Sequence, residues 1–346
     1  MKHQAKQCGR KVAELAACMA VALTSTLAAA GTEARYEIQP FGPAGDDMEV
    51  RPAGMSQGGR VTGAWCCNGD GEPEPFTYQK GKYKKHPLQS AEAAGGLAIN
   101  NLGVWVGWQS RPGEWQTHFY EDATGRHLLG NGLFEASDIN DAGQIVGIRR
   151  GDNGLREAAV YSIADGSFTT FPGDDGRINP HRINSAGAVT GNIGDYTAAR
   201  CFVYESGTMT DMGTMGGDFC SASDINDKGH VVGTSRNAQN KPRAFLWKNG
   251  AMVDLLPHRE KSSATAINDK GQIVGRWKEP SDYFWTEFLY EKGKATALKD
   301  LLSPEDAQRL THIYTIAGIT NSGEIIASGW LDGQYRSLKL KPITTK

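Results

Sequence analysis

The 346-residue sequence has no tract of clustered basic residues and, after its first thirty residues, no apolar run long enough to cross a bilayer. The first absence argues against nucleic acid or an acidic membrane surface as partner, and the second against a membrane-spanning body. Helical periodicity is missing too, with Pro304 to Leu310 the one short exception. No nucleophile elbow, HExxH or phosphate loop occurs, so no enzyme class is announced by a motif. Cysteine is sparse, and no CxxC stands with partnered histidines, so neither a metal site nor a cofactor is expected.

The N-terminus has the marks of a secretory signal. Lys2, Lys6, Arg10 and Lys11 precede an Ala/Leu/Val-rich stretch from Val12 to Leu27, and Ala28-Ala29-Ala30 offers an A-x-A-like cleavage site before Gly31. Residues 1–30 are therefore read as a signal peptide and 31–346 as one exported domain, periplasmic or extracellular. Leu15-Ala16-Ala17-Cys18 also resembles a lipobox, which would make Cys18 a lipid anchor, but it follows Lys11 too closely for an ordinary apolar region. Removing residues 1–30 takes away four Lys/Arg and one Glu, moving the net charge from −2 to −5. Four cysteines remain: Cys66, Cys67, Cys201 and Cys220. Three pairings are open to them; Cys201 and Cys220 fall in one repeat unit and could meet, and free buried thiols are the alternative.

What the chain has in quantity is self-similarity. The phrase AINDKGQIVG and six looser copies are anchored at Gly59, Gly103, Gly143, Gly187, Gly229, Gly271 and Gly323, in steps of 44, 40, 44, 42, 42 and 52 residues. From 17 to 19 residues after each anchor comes Tyr78, Tyr120, Tyr161, Tyr204, Trp247, Tyr290 or finally Leu340. In the sixth unit ATAIN and QIVGRW read as strands joined at Asp269, Lys270 and Gly271, and EFLY and KATAL as strands joined at Glu291, Lys292 and Gly293. Units of four strands and this period predict an all-β chain folded as a seven-bladed β-propeller. The last unit lacks a fourth strand, and the spare strand Tyr36 to Phe41 is expected to complete it and close the ring.

The phrases SASDINDKGHVVG, ATAINDKGQIVG, RAFLWKNGAMVDL and MTDMGTMGG resemble the HAF-repeat family of putative bacterial extracellular repeat proteins. The resemblance covers most of residues 31–346, most strongly 134–295, and Arg243 stands where the family has its histidine. It implies export and propeller-like repeats, and it implies no reaction.

Asp138-x-Asn140 and Asp224-x-Asn226 begin like a calcium loop. The fifth position is Ala142 or Lys228 and no glutamate follows at the twelfth, so the Asn and Asp of the phrase are read instead as caps of their own turns. Five residues before the anchors stand Gly54, Ala98, Asp138, Arg182, Asp224, Ala266 and Gly318. Asp138, Arg182 and Asp224 are expected to form an ion triad across three units, or else a cation-centred anion or sugar site in which His181 and Arg182 would do the chemistry of a polysaccharide lyase or hydrolase. With the short glycine turns on one face, the other collects long, dissimilar loops, the usual carriers of binding. Trp108, Trp115, Tyr196, Trp277, Tyr283 and Trp285, with Arg182, are the candidate contacts there, for another exported protein or a surface glycan. The expected function is a monomeric binding module, an inhibitor or immunity-type partner included, rather than an enzyme.

Overall fold

Each copy of the repeated phrase folds as the hairpin joining the first two strands of an antiparallel sheet. The computed structural model describes residues 34–42, 48–67, 72–87, 93–111, 116–129, 133–151, 154–171, 176–195 and 197–343. The signal peptide with Cys18, and Trp115 and Tyr196, lie outside them, as do the side chains of Cys66 and Cys67.

The strand β1 (Tyr36–Phe41) comes first in the chain. β2 (Met48–Met55), β3 (Val61–Cys67), β4 (Glu74–Gln79) and β5 (Lys82–Lys85) form one sheet; β6 (Ala93–Ile99), β7 (Trp105–Ser110), β8 (Thr117–Asp122) and β9 (Gly125–Leu128) a second; β10 (Leu133–Ile139), β11 (Gln144–Arg150), β12 (Arg156–Ser162) and β13 (Phe168–Phe171) a third. Next come β14 (Ile178–Ile183), β15 (Val189–Gly194), β16 (Ala199–Glu205), β17 (Thr208–Gly213), β18 (Gly216–Ile225), β19 (Val231–Asn237), β20 (Pro242–Lys248) and β21 (Ala251–Asp254). β22 (Lys261–Ile267), β23 (Ile273–Lys278), β24 (Thr286–Glu291) and β25 (Lys294–Ala297) follow, then a 3-10 turn, the short helix α1 (Pro304–Arg309), β26 (Leu310–Ile319), β27 (Ile325–Leu331) and β28 (Gln334–Pro342). The innermost strands β2, β6, β10, β14, β18, β22 and β26 touch in turn, and β26 touches β2. The architecture is an all-β β-propeller.

Two features differ from, or add to, the expectation of seven separate sheets. Five four-stranded sheets are separate, whereas β14 to β21 form one eight-stranded sheet. The cause is local: β16 and β18 meet through one parallel pairing, Ala199 with Phe219, and Cys201 and Cys220 are joined in a disulfide with Cα atoms 5.3 Å apart. In the last sheet β1 lies antiparallel on β28, from Tyr36 opposite Pro342 to Phe41 opposite Ser337, with Tyr36 and Ile38 in the core beside Leu338 and Leu340.

Every innermost strand is interrupted at the same place. The pairing slips by one residue between Pro52 and Gly54, Gly96 and Ala98, Ala136 and Asp138, Pro180 and Arg182, Ala222 and Asp224, Ala264 and Ala266, and Ile316 and Gly318. A bulge bends its strand and re-aims the side chain after it, here toward the axis. The bulge also explains the glycine that ends the phrase. A Cβ on Gly275 would come 2.2 Å from the Ser263 carbonyl oxygen and 2.8 Å from the ring of Phe288, the fully buried phenylalanine paired with it. At Gly233 the corresponding distances are 2.2 Å to the Ser221 carbonyl and 2.9 Å to Phe245. No other residue fits between the bulge and the ring.

The asparagines bind sheet to sheet. Asn140 Oδ1 accepts from the backbone N–H groups of Ala142 and Gln144 at 3.1 and 3.0 Å, holding its own turn, while Nδ2 donates to the Asn184 carbonyl at 3.0 Å. Asn100, Asn184 and Asn226 repeat the donation to Asn140, Asn226 and Asn268, and Asn268 donates to Thr320. These asparagines are buried, so each supplies partners to backbone groups that water cannot reach. The aspartates behave otherwise than expected. Asp141 accepts from the Asn101 backbone at 2.7 Å and Asp227 from Ser185 at 2.9 Å, each from the preceding repeat's turn rather than its own. At this exposed rim the carboxylates tie one hairpin to the one before it.

Candidate functional site

The seven residues after the bulges, from Gly54 to Gly318, line one axial cavity of about 180 Å³. The shared level inferred for Asp138, Arg182 and Asp224 is therefore present. Arg182 acts on both carboxylates through its charge, while the direct hydrogen bonds of all three side chains go to backbone groups. Arg182 Nη1 donates to the His181 carbonyl at 2.9 Å. Asp138 Oδ2 accepts from the Ile183 backbone N–H at 3.0 Å, and Asp224 Oδ2 from that of Ile267 at 2.9 Å. Each carboxylate thus grips the next sheet through its backbone. The bulge sets each carboxylate where a backbone N–H of the next sheet is within hydrogen-bond reach.

Burial raises both acids, against the lowering pull of Arg182, and Asp224 is pushed up to about 6. His181 is the bulged residue itself, and its Nδ1 donates to the Ala222 carbonyl at 2.6 Å. Burial holds its pKa below the ordinary value, with the hydrogen bond to Ala222 opposing and the charge of Arg182 adding to the effect. The residues named for an enzymatic reading are thus engaged with backbone groups, and their arrangement builds structure.

A second polar cluster was not anticipated. His86, on the segment after β5, lies 2.9 Å from Thr77 Oγ1 through Nε2 and 2.5 Å from Glu121 Oε1 through Nδ1, while Arg126 Nη2 donates to Glu121 Oε2 at 3.0 Å. Burial tends to raise Glu121, but the hydrogen bonds and charges of His86 and Arg126 outweigh it and hold the acid low. The cluster straps the first sheet to the second. No spacing in the sequence signals it, because its members come from different units.

The aromatic candidates on the irregular face divide sharply. Trp277 is buried, stacked on Phe288 with centroids 5.5 Å apart and covered by the Arg259 guanidinium, so it is a core residue and not a contact. Its packing with Val232, Ala244, Leu255 and Leu256 of the preceding sheet decided this. Trp108 is half-buried, its indole lying over Gly95, where a Cβ would come 2.9 Å from Nε1. Tyr283 is 84% exposed, and Trp285 is half-buried with Arg276 over its ring at 4.6 Å.

Tyr283 belongs to a larger array. Its ring meets Phe284 edge-on at 4.7 Å; Phe284 stacks on His312 at 4.8 Å; His312 meets Tyr314 at 4.5 Å; and Tyr314 lies 5.8 Å from Tyr335. Trp330 pairs with His312 across β26 and β27 and is 37% exposed, with Phe284 at 53% and Tyr314 at 52%. The rings come from the loop between β23 and β24 and from the ends of β26, β27 and β28 at the irregular face. The overlooked signal was the final repeat step of 52 residues: the surplus carries LTHIY into an inner strand that elsewhere holds small residues.

No family model and no curated protein matches this sequence. Solved structures do resemble the fold. The β-propeller domain of the Trilobed protease from Pyrococcus furiosus, which has an open velcro topology, aligns with TM-score 0.58 and 10% identity over 87% of this chain and 99% of that one. Pyrococcus horikoshii acylaminoacyl peptidase aligns with TM-score 0.56 and 10% identity over 86% of this chain and 52% of its own. A prolyl endopeptidase aligns with TM-score 0.54 and 9% identity over 87% and 50%. This chain spans about half the length of those two peptidases, and the likeness carries the propeller fold alone.

Proposed function

We propose that the chain is an exported, non-catalytic binding module that captures another exported protein or a surface glycan through the irregular face. The observation that carries the reading is the exposed array of Tyr283, Phe284 and Tyr314, preassembled by ring-to-ring packing through His312, with Trp330 exposed on the neighbouring strand. Rigid aromatics supply contact area at low entropic cost, which is why a few such residues dominate binding surfaces. The channel supports the same reading from the other side, since His181, Arg182, Asp138 and Asp224 all serve backbone partners.

Export rests on the signal-like residues 1–30 and on the resemblance to HAF repeats. The ring is read as seven blades, the eight-stranded sheet counting as two held at one seam, with β1 as the closing strand. The cycle of inner-strand neighbours and the pairing of β1 with β28 support this count.

Capture by residues 31–346 from the cell envelope of the source organism, repeated with Tyr283→Ala/Tyr314→Ala, tests the function. The double variant should lose capture and keep its melting temperature within a few degrees. Depolymerisation of a glycan by the parent protein, abolished in His181→Ala, would overturn the reading in favour of a lyase or hydrolase at the channel mouth.

A further inference from the structure

His312 has two ring nitrogens that are shielded from solvent and have no hydrogen-bond partner. Buried polar side-chain atoms are nearly always paired, because water lost without replacement costs stability. Both nitrogens of one ring being left bare, at the centre of the exposed aromatic array, marks a group whose partner arrives from outside.

The cover over the ring is slight. Phe284 stacks on it at an interplanar angle of 18° and is itself half exposed. The loop bearing Phe284 is held at the surface by Lys278 Nζ donating to the Tyr283 carbonyl at 3.0 Å and by the Glu279 and Asp282 turn. Segments held by exposed hydrogen bonds and few buried apolar contacts open at low cost.

The chemistry of the opened site is specific. An imidazole presents two ring nitrogens in fixed directions, and a pair of sugar hydroxyls, each able to donate or accept, can satisfy both. Tyr314 borders the ring with exposed aromatic surface, suited to the C–H face of a pyranose, and the partly exposed Trp330 is the strand partner of His312. The nearby cation Arg309 is already committed to Asp306 and Asp332, at 3.0 and 2.8 Å.

We propose that His312 is the polar floor of a subsite for an uncharged pyranose unit of a glycan, uncovered when Phe284 swings off the ring. The inference rests on the reading of the irregular face as a binding face. Calorimetric titration of residues 31–346 with cello-, xylo-, malto- and N-acetylglucosamine hexaoses, and with oligogalacturonate as the charged control, tests it. At least one uncharged hexaose should bind, His312→Leu should weaken it tenfold or more, and His312→Gln, which keeps a donor and an acceptor, should stay within a few-fold. Phe284→Ala should tighten binding by removing the cover. His312→Leu should also melt no lower than the parent, since it removes an unpartnered polar group. Failure of every uncharged hexaose to bind, preference for oligogalacturonate, or equal binding by His312→Leu would each overturn the proposal. Continued capture of an envelope protein would show that the binding-module reading stands without the sugar subsite.

Discussion

Asn140 Nδ2 donates to the backbone carbonyl of Asn184, 44 residues later, at 3.0 Å, while Oδ1 of the same side chain closes its own turn. One amide thereby serves two levels of structure, the hairpin and the junction between sheets. Asn140→Ala would strand the Asn184 carbonyl and two turn N–H groups. The expected loss is about 2 to 4 kcal/mol by denaturant unfolding, summing partly compensated losses of buried hydrogen bonds. Asp227→Ala at the exposed rim should cost only about 0.5 to 1 kcal/mol, the usual net worth of a hydrogen bond. Equal losses would mean that the asparagine chain is no more important than the rim.

Buried acids and buried histidines should pull the pH dependence of stability in opposite directions. Glu287 is raised to about 7 and Asp224 to about 6, both chiefly by burial. The unfolded chain ionises these acids near their ordinary values while the folded one resists, so their contribution falls as pH rises from about 4.5 to 7, whereas His118 and His181, lowered by burial, contribute stability that is lost as pH falls below about 6.5. Below that window the depressed Glu121 and Asp332 lose their pairing and stability falls again. In a series from about pH 3 to 8, Glu287→Gln should gain melting temperature relative to the parent as pH rises through the window of about 4.5 to 7. A difference between the two that does not change with pH would contradict it.

Removing Arg182 should do little at mildly acidic pH. Its hydrogen bond goes to the backbone carbonyl of His181, so Arg182→Ala is expected to cost about 1 kcal/mol or less at pH 5, in the range of weak electrostatic contacts. At pH 8 the cost should be larger, because Arg182 draws down the pKa of both Asp138 and Asp224. Asp224→Asn, which keeps an acceptor for the Ile267 N–H without a buried charge, should then be neutral or stabilising at pH 8. A loss of several kcal/mol for Arg182→Ala at pH 5 would support the ion triad instead.

The disulfide between Cys201 and Cys220 closes a short segment, the two being 19 residues apart. Cys201→Ser/Cys220→Ser should lower stability by about 3 kcal/mol through the added freedom of the unfolded chain. A reducing agent should reproduce the shift in the parent and leave the double variant unchanged. An identical melting temperature with and without reductant would show that the bond contributes nothing in solution.

Deleting residues 31–41 removes β1 and strips Tyr36 and Ile38 from the core beside Leu338 and Leu340. It also bares the edge of β28 to other chains. The truncated protein should melt many degrees lower and elute partly as aggregates in gel filtration. Unchanged melting and elution would mean that the ring does not depend on this strand.

The sequence by itself determined the repeat, its strands and its turns, because those depend on neighbours in the chain. The glycine at each anchor is visible as a left-handed turn residue, and Gly143 and Gly271 do adopt φ of 73° and 78°. The aromatic landmark lies across from the second strand, as Tyr161 does opposite Ile145. What only the tertiary structure decided is where each side chain points once the sheets meet. A one-residue bulge has no signature in the phrase, yet it sends Asp138 and Asp224 to backbone donors of the next sheet. The strand period alone left Trp277 looking like a surface ring, and packing against Phe288 buried it. His312 and Phe284 are 28 residues apart in different repeat units, so their stacking, and the bare imidazole beneath, follow only from closing one sheet against the next.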